Sequence, residues 1–115
     1  MKIVINDHRK IFGVQKEFSK VFPNLKLNFT VKPHSIKSSA AVEALSSSKT
    51  IGQCRTIHNK GTITINPEMT AGEVSAHLSD VFGLTAIIER KSENRWVIID
   101  LADKQTLLNQ NLSKV

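Results

Sequence analysis

Residues 63–82, ITINPEMTAGEVSAHLSDVF, decide how this chain is read, because residues 3–22, IVINDHRKIFGVQKEFSKVF, align with them without a gap. Ile3, Ile5, Asn6, Val14, Ser19, Val21 and Phe22 recur at an offset of 60 as Ile63, Ile65, Asn66, Val74, Ser79, Val81 and Phe82. Similarity at a fixed offset points to an architecture built twice from one unit. The hydrophobic periods agree as well. Each stretch opens on a two-residue alternation and passes into apolar positions at helical spacing, so each reads as a strand followed by a helix.

In the first copy Ile3 and Ile5 alternate with Lys2, Val4 and Asn6, and Asn6 or Asp7 can cap a helix by accepting from its free amides. That helix runs to about Phe22, with Ile11, Val14, Phe18, Val21 and Phe22 on one face and Pro23 as its stop. Leu25, Leu27 and Phe29 then alternate with Lys26, Asn28 and Thr30 as a second strand. In the second copy Ile63 and Ile65 make the strand, and Thr70 and Glu73 have the spacing of a capping box. Ala71, Val74, Leu78, Val81 and Phe82 form the buried face, and Gly83 closes the helix. A strand over residues 84 to 90 follows, and Ser92-Glu93-Asn94 reads as a hairpin turn into Arg95-Trp96-Val97-Ile98-Ile99. Asp103 is the expected cap of a short final helix carrying Leu107, Leu108 and Leu112.

These elements predict an α+β fold: a two-layer sandwich made of a duplicated β-α-β unit of ferredoxin-like type, with an added C-terminal hairpin strand and short helix. A second architecture is open on the same residues. If Cys54 to His58 is a strand, turned by Asn59-Lys60-Gly61 into the strand at Thr62, the chain from about residue 50 reads hairpin, helix, hairpin. That order resembles the ubiquitin-like β-grasp modules, including the acidic-basic interaction domains of signalling adaptors. Between the copies, Ser35, Ser38, Ser39, Ser46, Ser47 and Ser48 flank a short helix candidate around Ala40 to Leu45, and the segment reads as a loop excursion.

A chain of 115 residues, 40% hydrophobic and 23% charged, suits a single domain with one core. Its parts are the first copy at 1–32, the serine-rich excursion with a possible strand at 33–60, the second copy with its hairpin at 61–100, and a helix and tail at 101–115. No apolar run approaches the roughly 20 residues of a membrane span, and the start turns polar too soon for a secretory signal, so a cytoplasmic location is expected. Cys54, the one cysteine, has no disulfide partner in the chain, and the four histidines lack zinc-ligand spacing, so neither metal nor cofactor is expected. The stretches Lys49-Thr50-Ile51-Gly52-Gln53-Cys54-Arg55, Met69-Thr70-Ala71-Gly72-Glu73-Val74 and Phe82-Gly83-Leu84 resemble a group of small uncharacterised bacterial α+β proteins. The resemblance covers mainly residues 49 to 112 and implies no activity.

Charge is unevenly spread. Residues 1–60 hold eleven Lys and Arg against three Asp and Glu, net +8, whereas residues 61–115 hold five against seven, net −2. The basic half suits an anionic partner. By the 100° helical step, Arg9, Lys16 and Lys20 fall together on the outer face of the first helix, and they are the candidate binding residues. Nucleic acid could be held there through its phosphates, but stacking needs exposed rings. With no tyrosine, and Phe18, Phe22, Phe29 and Phe82 on inward faces, only Phe12 and Trp96 are uncommitted.

Two catalytic patterns are present in outline. Ser46-Ser47-Ser48-Lys49 has the S-x-x-K spacing, and Cys54 with His58 or His77 could form a thiolate and base pair. The companion elements of the S-x-x-K class are missing, and a small buried thiol beside a partly exposed histidine is the plainer reading of Cys54 and His58. The expectation is therefore a non-enzymatic binding module, engaging a protein partner or a second copy of itself through the basic helix face or a sheet edge such as Arg95 to Ile99 or Ile3 to Asn6. Binding of a nucleic-acid backbone is the alternative, and a small cysteine or serine hydrolase the third reading. No membrane partner is expected.

Overall fold

Strand β1 (Lys2–Ile5) keeps the alternation of its sequence, with Lys2 and Val4 exposed and Ile3 and Ile5 buried. It pairs antiparallel with β3 (Gly61–Thr64), and Ile3 lies opposite Ile63, the residue with which it aligns in sequence. Strand β2 (Leu25–Phe29) pairs antiparallel with β4 (Ala86–Ser92), which pairs in turn with β5 (Arg95–Ile98). The computed structural model describes residues 1–30 and 46–112, and within them the strands form one two-stranded and one three-stranded sheet, ordered β1-β3 and β2-β4-β5. Helices α1 (Ile11–Val21), α2 (Ala71–Phe82) and α3 (Leu107–Leu112), and a turn of 3-10 helix at Ile51–Cys54, complete an α+β fold. Ile3, Ile5 and Ile63 from the first sheet, Leu25, Leu27, Phe29 and Ile88 from the second, and Phe18 and Leu78 from the helices fill a single core. The pairings that would extend this to one ferredoxin-like sheet, β2 beside β3 and β4 beside β1, are not among the described ladders; β2 and β4 pair with each other.

Helix α2 begins and ends as its sequence dictates. Thr70 Oγ1 accepts from the Glu73 amide at 3.2 Å while Glu73 Oε1 accepts from the Thr70 amide at 2.9 Å, satisfying two donors the helix cannot. At the other end Gly83 takes the left-handed conformation, φ 66°, and its amide donates back into the last turn. The 3-10 turn uses the same box, with Thr50 and Gln53. The hairpin at Glu93 and Asn94 also forms, with Glu93 at φ 56°.

Several expectations are corrected. Helix α1 starts at Ile11, because Asn6 Oδ1 spends itself on the amides of His8 and Arg9 at 3.0 and 3.1 Å, a turn short of the helix. The amides of Ile11 and Phe12 donate instead to the carbonyls of Lys49 and Ser47, at 2.9 and 3.1 Å, so a segment distant in sequence caps this helix. Cys54 to His58 is not a strand: Ile51–Cys54 is the 3-10 turn and residues 55–60 join no ladder, so β3 pairs with β1 and the first hairpin of a β-grasp unit is not formed. Val21 and Val81, placed on the buried faces, are exposed, because Phe22 and Phe82 fill the last core position of each helix. Asp103 accepts from the Gln105 amide and from Gln110 Nε2, while Thr106 Oγ1, next to α3, accepts from the Asn109 amide. Of the α3 leucines only Leu107 is buried; Leu108 and Leu112 face outward. The helix candidate around Ala40 to Leu45 lies outside the described residues.

Gly72, in the first turn of α2, gives a test of this packing. A β-carbon there would stand 2.2 Å from the Leu101 carbonyl oxygen, a backbone atom that cannot swing aside. Alanine should gain about 1 kcal/mol of helix propensity over glycine, but displacing the Leu101 backbone should cost more, on the overpacking scale of about 1–3 kcal/mol. Gly72→Ala is therefore expected to lower the midpoint of urea unfolding, and a raised midpoint would refute the close approach.

Candidate interaction surface

Helix α1 is fixed to the sheet by its polar flank. Ser19 Oγ donates to the Leu25 carbonyl at 3.1 Å, and Gln15 Nε2 donates to the Leu27 carbonyl and to Asn28 Oδ1, both at 2.8 Å. Asn28 Nδ2 donates onward to Glu89. These bonds occupy the outward carbonyls of β2, an edge strand whose bare backbone would otherwise invite pairing. With the apolar stripe inward and this flank on the strand, Phe12, Lys16 and Lys20 are left on the outside at one-turn intervals, and Phe12 keeps 54% of its surface exposed.

Arg9 does not join them. It precedes the helix, its Nη1 donates to the Val4 carbonyl at 3.1 Å, and its Nη2 is paired with Glu17. The helical step that grouped Arg9 with Lys16 and Lys20 does not apply to a residue outside the helix. Two of the three expected binding cations therefore stand on an open face, and the third is spent on the chain's own carboxylate.

A second basic region surrounds the β4–β5 hairpin. The register places Lys26, Glu89, Lys91, Trp96 and Ile98 on the outward face of the three-stranded sheet, with Lys91 opposite Trp96. Lys26 Nζ lies 5.6 Å from the centre of the Trp96 ring, a cation–π contact. Arg90 and Arg95 stand on the other face at the end of the sheet, beyond the buried positions. Among the described residues the ion pairs are Arg9–Glu17, Arg55–Asp7 and His58–Asp7, so Lys16, Lys20, Lys26, Lys91 and Arg95 face no carboxylate within salt-bridge distance.

The strongest polar cluster is one the sequence did not announce. The fully buried Arg55 side chain donates through Nε and Nη2 to Asp7 Oδ1 at 3.1 and 2.8 Å, and through Nη1 to the Phe82 carbonyl at 2.9 Å. Asp7 Oδ2 meets His58 Nδ1 at 2.8 Å. An ionised carboxylate can only accept, so the proton in that contact belongs to the ring nitrogen. Asn59 Nδ2 donates to the Val81 carbonyl at 2.9 Å. The segment 55–59 thus brings a cation and a donor to the C-terminal end of α2, where the carbonyls and the helix dipole carry negative charge and the helix itself has no basic residue in its last turn. Asp7, beyond β1, closes the staple. No local pattern could have revealed it, since Asp7 and Arg55 are 48 residues apart.

The residues of the two catalytic patterns have the following surroundings. His58 Nδ1 is committed to Asp7, and His77 stacks on Phe82 with ring centres 6.1 Å apart. Cys54 Sγ donates to the Thr50 carbonyl at 3.2 Å, and burial pushes its thiol pKa up, which favours the unreactive protonated form. Ser46 Oγ shares a 2.8 Å hydrogen bond with Ser48 Oγ rather than with Lys49. No group of three or more metal-ligating side chains occurs among the described residues, and no helix there is long and apolar enough to cross a membrane. No family model, curated protein or solved structure matches the chain.

The staple has a pH signature. The His58 hydrogen bond and then the Arg55 hydrogen bonds hold the Asp7 pKa below its ordinary value, outweighing the opposing desolvation. A depressed folded-state pKa means that the contribution to stability is complete above the unfolded value, about 3.9, and is lost as pH falls through the lower folded value. Asp7→Asn should therefore lower the urea midpoint of unfolding at neutral pH, and the gap between variant and wild type should close as the pH falls below about 4. A gap that persists unchanged in acid would show that ionisation of Asp7 contributes nothing.

Proposed function

We propose that the chain is a non-enzymatic binding module that engages an acidic protein surface. The observation that carries this is the exposed face of α1, where Lys16 and Lys20 extend beyond Phe12 with no carboxylate partner among the described residues. An exposed aromatic ring supplies area to bury against a partner, and cations at its rim supply attraction at long range. The Cys54 thiol is bonded to the Thr50 carbonyl and its pKa is pushed up by burial, which favours binding over turnover by a thiolate.

We also read the two halves as copies of one unit, ferredoxin-like in order of elements. Ile3 opposite Ile63, and the amides of Ile51 and Leu107 donating to the carbonyls of Arg9 and Met69, themselves aligned at the offset of 60, support that reading. Where α1 has Lys16 and Lys20, α2 has Ala76 and Asp80. On this reading the core face has been kept and the outer charge altered, so the first copy carries the binding role.

A specific observation also favours nucleic acid as a second reading: Phe12 and Trp96, the two uncommitted aromatic rings, are both exposed and both have lysine nearby, as stacking on single strands requires. The test separates the two. At low ionic strength the immobilised chain should retain protein from a cell extract treated with nuclease and release it as salt rises, and the K16E/K20E double variant should retain at least about tenfold less. Retention that depends on intact nucleic acid would transfer the reading to RNA or DNA, and a monomeric chain that retains nothing would remove both.

A further inference from the structure

Strand edges in this fold are not treated alike. The outward carbonyls of β2 at Leu25 and Leu27 are taken by Ser19 and Gln15, and on β1 the Val4 carbonyl is taken by Arg9. On β5 the bond from the Ile99 amide to the Ile88 carbonyl, 2.8 Å, sets the phase of the ladder. Residues 95 and 97 turn their backbone groups toward β4, and Trp96 and Ile98 turn theirs outward. Among the described residues nothing bonds those groups. The strand itself is Arg-Trp-Val-Ile, aromatic and β-branched, without the proline, glycine or bulge that commonly protects an exposed edge.

Charge selects the occupant. Lys91 and Arg95 flank this edge, with Lys26 over the Trp96 ring and Arg90 on the other face of the sheet, and these four cations outnumber the nearby carboxylates Glu89, Glu93 and Asp100. A second copy pairing edge to edge would bring its own cations along with its carboxylates and leave the excess of positive charge in place. An acidic segment would relieve the same field.

We propose that β5 is a strand-acceptor edge, which takes an extended acidic segment of a protein partner as a fourth strand of the β2-β4-β5 sheet. The inference rests on the protein-binding reading above and names the partner's form and charge. Backbone bonds to Trp96 and Ile98 hold the segment, its residues on the outward face lie against Trp96 and Ile98, and its carboxylates meet Arg95 and the neighbouring lysines.

The single tryptophan makes the test direct, since Trp96 alone reports in intrinsic fluorescence. Three synthetic peptides serve as probes: alternating Glu and Val, alternating Glu and Pro, and alternating Lys and Val. The Glu-Val peptide should shift the Trp96 emission saturably, more weakly at high salt, and should slow hydrogen exchange at the Trp96 and Ile98 amides. The Glu-Pro peptide carries the same charge, but proline holds it in the threefold polyproline II turn, which scatters the glutamate amides around the chain instead of aligning them along one edge, and it should bind at least about tenfold more weakly; the Lys-Val peptide should not bind. Ile98→Pro, which deletes an outward amide without touching the β4–β5 bonds, should abolish binding at unchanged thermal stability, and K91E/R95E should do the same if the proline variant fails to fold. Equal binding of the Glu-Val and Glu-Pro peptides, a single-stranded oligonucleotide that shifts Trp96 at lower concentration than the Glu-Val peptide, or no binding at all would overturn the proposal. Exchange protection confined to α1 would also overturn it while leaving the binding module itself in place.

Discussion

Both principal ladders are made across the two halves of the chain. β1 and β2 come from the first half and β3 and β4 from the second, yet β1 pairs with β3 and β2 with β4. Among the described residues neither half therefore contains a ladder of its own except the β4–β5 hairpin. Backbone donors and acceptors must be paired when apolar faces are buried, so the burial of Ile3 and Ile5 requires Ile63, and the burial of Leu25 and Leu27 requires Ile88. One core results because it is the only way either set of strands can be completed.

The polar devices of the fold complete what the ladders leave open. Ser19 and Gln15 close the far side of β2, Arg9 closes β1, the carbonyls of Ser47 and Lys49 cap α1, and Arg55 with Asn59 caps the end of α2. The side chains among them, Ser19, Gln15, Arg9, Arg55 and Asn59, are polar types that a sequence by itself leaves facing water. Among the described residues these devices leave open the outer face of α1 and the outer edge of β5, where Lys16, Lys20, Lys91 and Arg95 have no carboxylate partner. The basic half is thus divided: Arg9 and Arg55 are paired with the chain's own carboxylates, whereas Lys16 and Lys20 have no such partner among the described residues.

How much could be read in advance follows the distance over which each feature is determined. The Thr70 and Glu73 box, the Gly83 stop, the turn at Glu93 and Asn94 and the inward faces of both long helices are set by residues within a few positions of one another, and they were legible. The start of α1 was not, since its cap comes from Ser47 and Lys49. Arg9 was misplaced because a helical angle was applied beyond the end of the helix. Cys54 to His58 alternates like a strand, but Arg55 is drawn inward by Asp7 and the Phe82 carbonyl, which spends the segment on the end of α2 instead. Of the candidate surface, Lys16 and Lys20 were legible from spacing alone; Lys26 beside Trp96 needed the register of three strands.

The crossing of the ladders also bears on synthesis. When residue 60 has just been made, Ile3, Ile5, Leu25, Leu27 and Phe29 still lack the strands with which they pair in the fold. Contacts this far apart in sequence also close slowly. The nascent first half, carrying a net charge of +8, must stay in solution with its apolar strands uncovered until the second half emerges, and its lysines repel neighbouring chains throughout that interval.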